Sequence, residues 1–266
     1  MKIGFIGLGN MGGSLARLVA QDERYRSELL LANRSRDKAE KIAAELGGQP
    51  VSNAEVFALA EVIFLGIKPA QFADLLADYQ EILDKRDSLL LVSMAAGLPL
   101  GTLEKLTPSH HRWIRIMPNT PVAVGEGVIT YALSQQANQV DEDLLRELLS
   151  SAGLLVKLEE KQLDAATALA GCGPAFVYLF IEALADAGVR AGLSRDISLE
   201  LANQTLLGAA KLGKVSGQHP AQLKDQVCSP AGSTIAGVAS LEENAFRGTV
   251  MAAVQVAYQR TQELGK

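Results

Sequence analysis

Gly7-Leu8-Gly9-Asn10-Met11-Gly12 follows the apolar run Lys2 to Ile6 and opens a segment with Met11, Leu15, Leu18 and Val19 at helical spacing. Glycines in this pattern, between a strand and a helix, permit a tight turn, a close approach of backbone to a ligand, and close packing of helix on strand. The unpaired N–H groups and the positive end of the helix then face an anion. The chemistry that fits is the grip on a pyrophosphate, with Ile6, Gly7, Gly9, Asn10, Met11 and Gly12 around it. A bare strand-to-helix turn is the alternative.

Some twenty residues on, the second apolar run ends in Ala32-Asn33-Arg34-Ser35, with Lys38 one turn into the next helical segment. A site for NAD places an acidic residue there to bind the ribose 2′-hydroxyl. No carboxylate stands at this position. Arg34 can pair with a 2′-phosphate, and Asn33 and Ser35 can donate to it. NADPH is the expected cofactor, with NADH accepted less efficiently; the competing reading makes Arg34 a solvated loop charge.

Further segments close later strands. They are Gly66-Ile67-Lys68-Pro69, Ser93-Met94-Ala95-Ala96-Gly97, and Met117-Pro118-Asn119-Thr120-Pro121. Small residues in the first two let a flat ring lie on the backbone, while prolines stiffen the loop that carries Asn119. Two more segments fall among helices: Gly171-Cys172-Gly173-Pro174, and Ser229-Pro230-Ala231-Gly232-Ser233-Thr234. The second offers N–H groups at a helix start beside two hydroxyls, a fit for a carboxylate. Helix capping by Ser229 or Ser233 competes with that reading, and the residues alone favour capping.

These residues need a scaffold that presents strand ends. Strand-like runs at Lys2–Ile6, Glu28–Ala32, Glu61–Ile67, Ser88–Ser93 and Trp113–Ile116 alternate with helical segments at 11–20, 37–46, 70–83 and 100–106. This alternation predicts a parallel sheet with helices on both faces, a Rossmann-type doubly wound α/β domain. Weaker strands are expected at 127–133 and 154–158, separated by a helix over 141–151. From about Lys161 only helical periodicity remains, at 162–170, 174–191, 196–214, 220–226, 232–244 and 245–264. The expected division is a dinucleotide-binding domain over 1–160 and an all-helical domain over 161–266. The later helices are apolar on more than one face, so their burial between subunits is expected.

The 266 residues carry a net charge of −5, which weighs against a nucleic-acid partner. Two cysteines are too few for a disulfide framework and too far apart for a metal-type pair, so no metal is expected. The first apolar run is too short for a signal peptide or a membrane span. A cytoplasmic, membrane-free enzyme is the default. His110 and His111 fall in a polar loop and His219 precedes Pro220, so none is a strong candidate for an essential acid.

The ordered set of motifs resembles the pyrroline-5-carboxylate reductase family. It runs from the Gly7–Gly12 loop through Lys68-Pro69, Ala95-Ala96-Gly97, Met117 to Pro121, Gly171 to Phe176, His219-Pro220, Leu223-Lys224-Asp225 and Ser229 to Ile235 to Phe246-Arg247. The resemblance covers essentially the whole chain. It implies hydride transfer from NADPH to the C=N carbon of 1-pyrroline-5-carboxylate, giving L-proline. It implies a homodimer at least, and often a ring of dimers, with substrate at the dimer interface. Carried over, Thr234 hydrogen-bonds the ring nitrogen as the catalytic residue, while Ser233 and the backbone near Gly232, with Ser229, hold the carboxylate. Asn53, Met94, Ala95 and Ala96 match cofactor positions of the family. Two departures stand out: Cys172 where the family usually has Ser, and Ala231 where it usually has Gly.

The β-hydroxyacid dehydrogenases share the opening loop, but their catalytic lysine follows a glycine-rich segment, and Gly171 to Ala187 contains no lysine. A regulatory protein that senses NADPH without turnover is the other rival. The intact segment from Ser229 to Thr234 argues against it.

Overall fold

The computed structural model describes residues 1–264. Eight strands form one sheet: β1 (Ile3–Ile6), β2 (Leu29–Ala32), β3 (Gln49–Pro50), β4 (Val62–Leu65), β5 (Leu90–Ser93), β6 (Arg112–Pro118), β7 (Gly127–Leu133) and β8 (Gly153–Lys157). Their spatial order is β3-β2-β1-β4-β5-β6-β7-β8. The order reverses between β1 and β4, so the crevice for a ligand opens at their carboxyl ends.

Strands β1, β2, β4 and β5 are buried along their whole length, as strands covered on both faces must be. Alternation sorts their side chains into two cores. Ile3, Phe5, Leu29, Leu31, Val62, Phe64, Leu90 and Val92 enter one, against the helices Asn10–Val19, Arg36–Leu46 and Gln139–Leu148. Ile6, Leu30, Ala32, Ile63, Leu65, Leu91 and Trp113 enter the other, with the helices Asn53–Leu59, Phe72–Asp78 and Leu100–Leu103. Phe5 and Phe64, adjacent in the ladder, stack with ring centroids 4.7 Å apart.

The sheet is mixed rather than fully parallel, since β7 runs antiparallel to β6. Only a short loop, containing the tight turn Thr120–Val124, separates them, too little chain for a crossover. The expected helix over 70–83 is broken at Tyr79, which leaves helical geometry and packs its ring 5.3 Å from that of Phe57. The short strand β3 and the helix Asn53–Leu59 had no counterpart in the sequence reading. Yet Ser52-x-x-Glu55 is a capping box, and both of its hydrogen bonds form. His111 is buried, not part of a polar loop: its Nδ1 accepts the Leu89 N–H at 3.1 Å, and its Nε2 donates to the Leu83 carbonyl at 3.1 Å.

Two compact units emerge: Met1–Cys172 with the chain from Ala257 onward, and Gly173–Val256. In the first, a π-turn spans Thr167–Gly171, with Cys172 N–H bonded to the Thr167 carbonyl. In the second, helices Gly173–Arg190 and Arg195–Ser216 form a hairpin. There Gly188 lets the helices close, since a Cβ at that position would lie 2.6 Å from Ser198 Oγ. Helices Pro220–Val227 and Ser233–Glu243 follow, and Phe246–Leu264 ends the described chain.

The 31-residue helical run Glu160–Arg190 is long and apolar enough to cross a membrane by length and composition, and little of it is buried within one chain. Tyr178, Leu179, Leu201 and Leu207 are likewise exposed.

Candidate functional site

At the carboxyl ends of β1, β2 and β4 lies a cleft of about 620 Å³. Ile6, Gly7, Gly9, Asn33, Arg34, Ser35, Asn53, Gly66, Ile67 and Lys68 line it, all named from the sequence. Gln71, Asp74 and Leu75 line it too and were missed. Their signal was helical spacing from Lys68: positions 71, 74 and 75 share one face.

Gly7 has φ +92°, and a Cβ there would stand 2.6 Å from the Gly66 carbonyl oxygen. Gly12 is as constrained, because a Cβ would collide with the Gly7 carbonyl. Gly9 differs: a Cβ there would meet nothing within 4 Å. It caps the helix Asn10–Val19, which has no side-chain cap and no acidic residue in its first turn. Open space over an uncapped helix start fits a pyrophosphate.

Asn33 braces this loop. Its Oδ1 accepts the Leu8 N–H at 3.0 Å, and its Nδ2 donates to the Ser35 carbonyl at 3.2 Å. Ser35 is the N-cap residue of Arg36–Leu46, yet its hydroxyl makes no capping bond. Arg34 and Lys38 are exposed, and Arg34 has no ion pair among the described residues. With no carboxylate at the end of β2, this corner fits the 2′-phosphate of NADP(H).

Asn10, Met11 and Gly12 form the first turn beside the cleft, and Pro69 begins the tight turn Pro69–Gln71 just past it. Met94 adjoins it as well, its Cε standing 3.1 Å from the position a Gly66 Cβ would take. Ala95, Ala96 and Gly97 continue that loop; Ala95 N–H donates to Ser93 Oγ at 3.2 Å, and Gly97 has φ +73°. Asn119 lies apart. Its Oδ1 accepts the Val128 N–H at 2.8 Å and its Nδ2 donates to the Ala170 carbonyl at 3.0 Å, so its amide braces the β6–β7 reversal and the π-turn.

In the second unit, Ser229-Pro230-Ala231-Gly232 closes a β-turn, with the Gly232 N–H donating to the Ser229 carbonyl at 3.0 Å. Proline second and positive φ third, +54° at Ala231, define a type II turn. Gly232 caps the helix Ser233–Glu243; no side chain caps it, and no acidic residue occupies its first turn. The capping reading of Ser229 and Ser233 is therefore corrected: Gly232 is the N-cap, Ser233 is already the first helical residue, and neither hydroxyl makes a capping bond. Ser233 and Thr234 are exposed. His219 does cap a helix, its Nδ1 accepting the Ala221 N–H at 3.2 Å.

Known proteins share this architecture. Residues 160–264 match the family model described as pyrroline-5-carboxylate reductase dimerisation. Residues 2–97 match that of coenzyme F420-dependent NADP oxidoreductases. The pyrroline-5-carboxylate reductase of Pisum sativum is 44% identical over 98% of this chain and 95% of its own length. That of Synechocystis is 40% identical over 100% and 99%. The crystal structure of Plasmodium falciparum pyrroline carboxylate reductase with NADP bound superposes with a TM-score of 0.89 at 37% identity, over 100% of this chain and 98% of that one. The dimerisation match covers the exposed apolar helices, whose burial a second copy supplies. Identity at this level over the full length, with the cleft at the sheet's switch point, leads to one conclusion: the chain belongs to the pyrroline-5-carboxylate reductase family.

Proposed function

We infer that this chain reduces 1-pyrroline-5-carboxylate to L-proline with NADPH as hydride donor. The observation that carries this reading is full-length kinship with pyrroline-5-carboxylate reductases, one of them solved with NADP bound. Bound NADPH supplies the hydride that the C=N carbon accepts. The chain's own task is to bind, orient and exclude water. An imine carbon is already electrophilic, so positioning supplies much of the acceleration.

Gly9 and the uncapped helix start take the pyrophosphate, while Arg34 and Ser35 take the 2′-phosphate. NADH, lacking that phosphate, is the poorer donor. Small residues at Ala95 and Ala96 leave room for a flat ring near Gly66. Thr234 hydrogen-bonds the ring nitrogen that gains a proton as the carbon gains hydride. Ser233 and the N–H groups at Gly232 hold the carboxylate, with Ser229 closing the turn behind them.

The dimer is the minimal assembly, and we extend it to a ring of dimers. Two unpaired thiols, Cys172 and Cys228, suit a reducing compartment, so we place the enzyme in the cytoplasm. The direct test is ultraviolet absorbance of NADPH and of NADH on addition of pyrroline-5-carboxylate, with proline identified as product. Tight NADPH binding with no oxidation would sink the enzyme reading in favour of a sensor.

A further inference from the structure

Arg115 lies on β6 with its side chain 3% exposed, in register with Ser93 at the end of β5. A guanidinium so buried is costly unless paired. It is paired twice: Nη2 donates to Asp164 Oδ1 at 2.9 Å, and Nη1 lies 3.5 Å from Glu160 Oε1. That same Glu160 oxygen accepts the backbone N–H of Leu100 at 2.5 Å. Leu100 is the first residue of the helix Leu100–Leu103, immediately after the connection 94–99, and no side chain of its own N-cap, Pro99, satisfies it.

One carboxylate oxygen thus joins three segments: β6, the helical run that starts at Glu160, and the helix start that closes the connection 94–99, which carries the Met94–Gly97 loop. The near end is fixed separately by Ser93 Oγ. Arg115 Nε, also buried, has no partner among the described residues. A buried guanidinium with an unmet donor, held by two part-exposed carboxylates, is a poor choice for stability alone, since an apolar residue of similar volume serves a core at least as well. Its distinctive yield is geometric, as it fixes where the loop ends.

We propose that Arg115, Glu160 and Asp164 form a positioning cluster that sets the cofactor loop Met94–Gly97 through the Leu100 amide. The inference rests on the reading of that loop as part of the NADP(H) site. Glu160→Gln keeps an acceptor for the Leu100 N–H, whereas Glu160→Ala removes it. The expected result is NADP⁺ binding weakened about tenfold by calorimetry in Glu160→Ala. Glu160→Gln should recover most of that affinity, and amide hydrogen exchange at 95–100 should quicken in the alanine variant only. KM for NADPH should rise in parallel while kcat changes less.

Arg115→Lys, which keeps the charge and loses the fork, serves as the second variant should Glu160→Ala fold poorly; it is expected to weaken NADP⁺ binding several-fold. Folded variants with wild-type NADP⁺ affinity and unchanged exchange at 95–100 would overturn the proposal and leave the cluster structural. Faster exchange at 95–100 with NADP⁺ affinity unchanged would instead remove the loop from the cofactor site, and with it the positioning role.

Discussion

The side-chain oxygen of Asn33 accepts the backbone N–H of Leu8 at 3.0 Å, tying the end of β2 to the middle of the glycine loop after β1. Leu8 is fully buried, so its N–H has no water to fall back on. Asn33→Ala is expected to lower stability by about 1 kcal/mol and to weaken NADP⁺ binding on the order of tenfold. Chemical denaturation and calorimetric titration check the two effects. Asn33→Asp keeps the acceptor but sets a negative charge beside the 2′-phosphate corner, and should shift preference toward NADH.

Arg34 stands exposed at that corner. Arg34→Ala is expected to raise KM for NADPH roughly tenfold and to leave KM for NADH nearly unchanged. Steady-state kinetics with both cofactors decide it: an unaltered ratio of the two would remove Arg34 from phosphate recognition.

Thr234 is exposed in the uncapped first turn of Ser233–Glu243. Thr234→Ala should lower kcat on the order of ten- to a hundredfold, with NADP⁺ affinity as in wild type. Thr234→Ser, which keeps the hydroxyl, should retain most activity. Equal turnover in wild type and Thr234→Ala would exclude the residue from the reaction.

Ala231 occupies the left-handed region at φ +54°, where a Cβ costs about 1–2 kcal/mol. Ala231→Gly removes that strain but adds unfolded-state entropy worth about 0.5–1 kcal/mol. The net expectation is a gain in stability of about 0–1.5 kcal/mol, read from urea denaturation midpoints, without loss of turnover. A loss of stability would show that the alanine methyl makes a contact worth more than the strain.

Burial, and then the neighbouring His110, hold the His111 pKa below its ordinary 6.5. The unfolded chain therefore binds the proton more readily than the folded one. Stability from this site is complete above the unfolded value and is lost as pH falls through the lower folded one. Urea midpoints should drop as pH falls below the ordinary value of about 6.5. In His111→Gln, which cannot titrate, that drop should be smaller although the starting stability is lower.

Much of this was legible because it is local. Strand β7 occupies 127–133, where the sequence predicts a weaker strand, and the glycine loop announces itself by spacing. Other features depend on what lies across space. The direction of β7 follows from the length of its connection and not from its own residues. Asn33 reads as a phosphate donor through its amide nitrogen, while its amide oxygen accepts from Leu8, a partner 25 positions away that spacing does not show. Asn119 looked like a site residue for its stiff proline-flanked loop, while its partner Ala170 is 51 positions distant. The capping reading at Ser233 failed by one residue, since the helix starts at the serine and not after it.

The π-turn at Thr167–Gly171 places one residue more in its turn than an α-helix would. Each residue of a helix advances the direction of its side chain by about 100°. One added residue therefore turns the stripe that begins with Leu163, buried against the sheet, by that angle within the turn. Deleting a single residue inside this turn would restore ordinary α-helical spacing there and strand the Ala170 carbonyl away from Asn119, so a brace of the β6–β7 reversal hangs on one surplus residue.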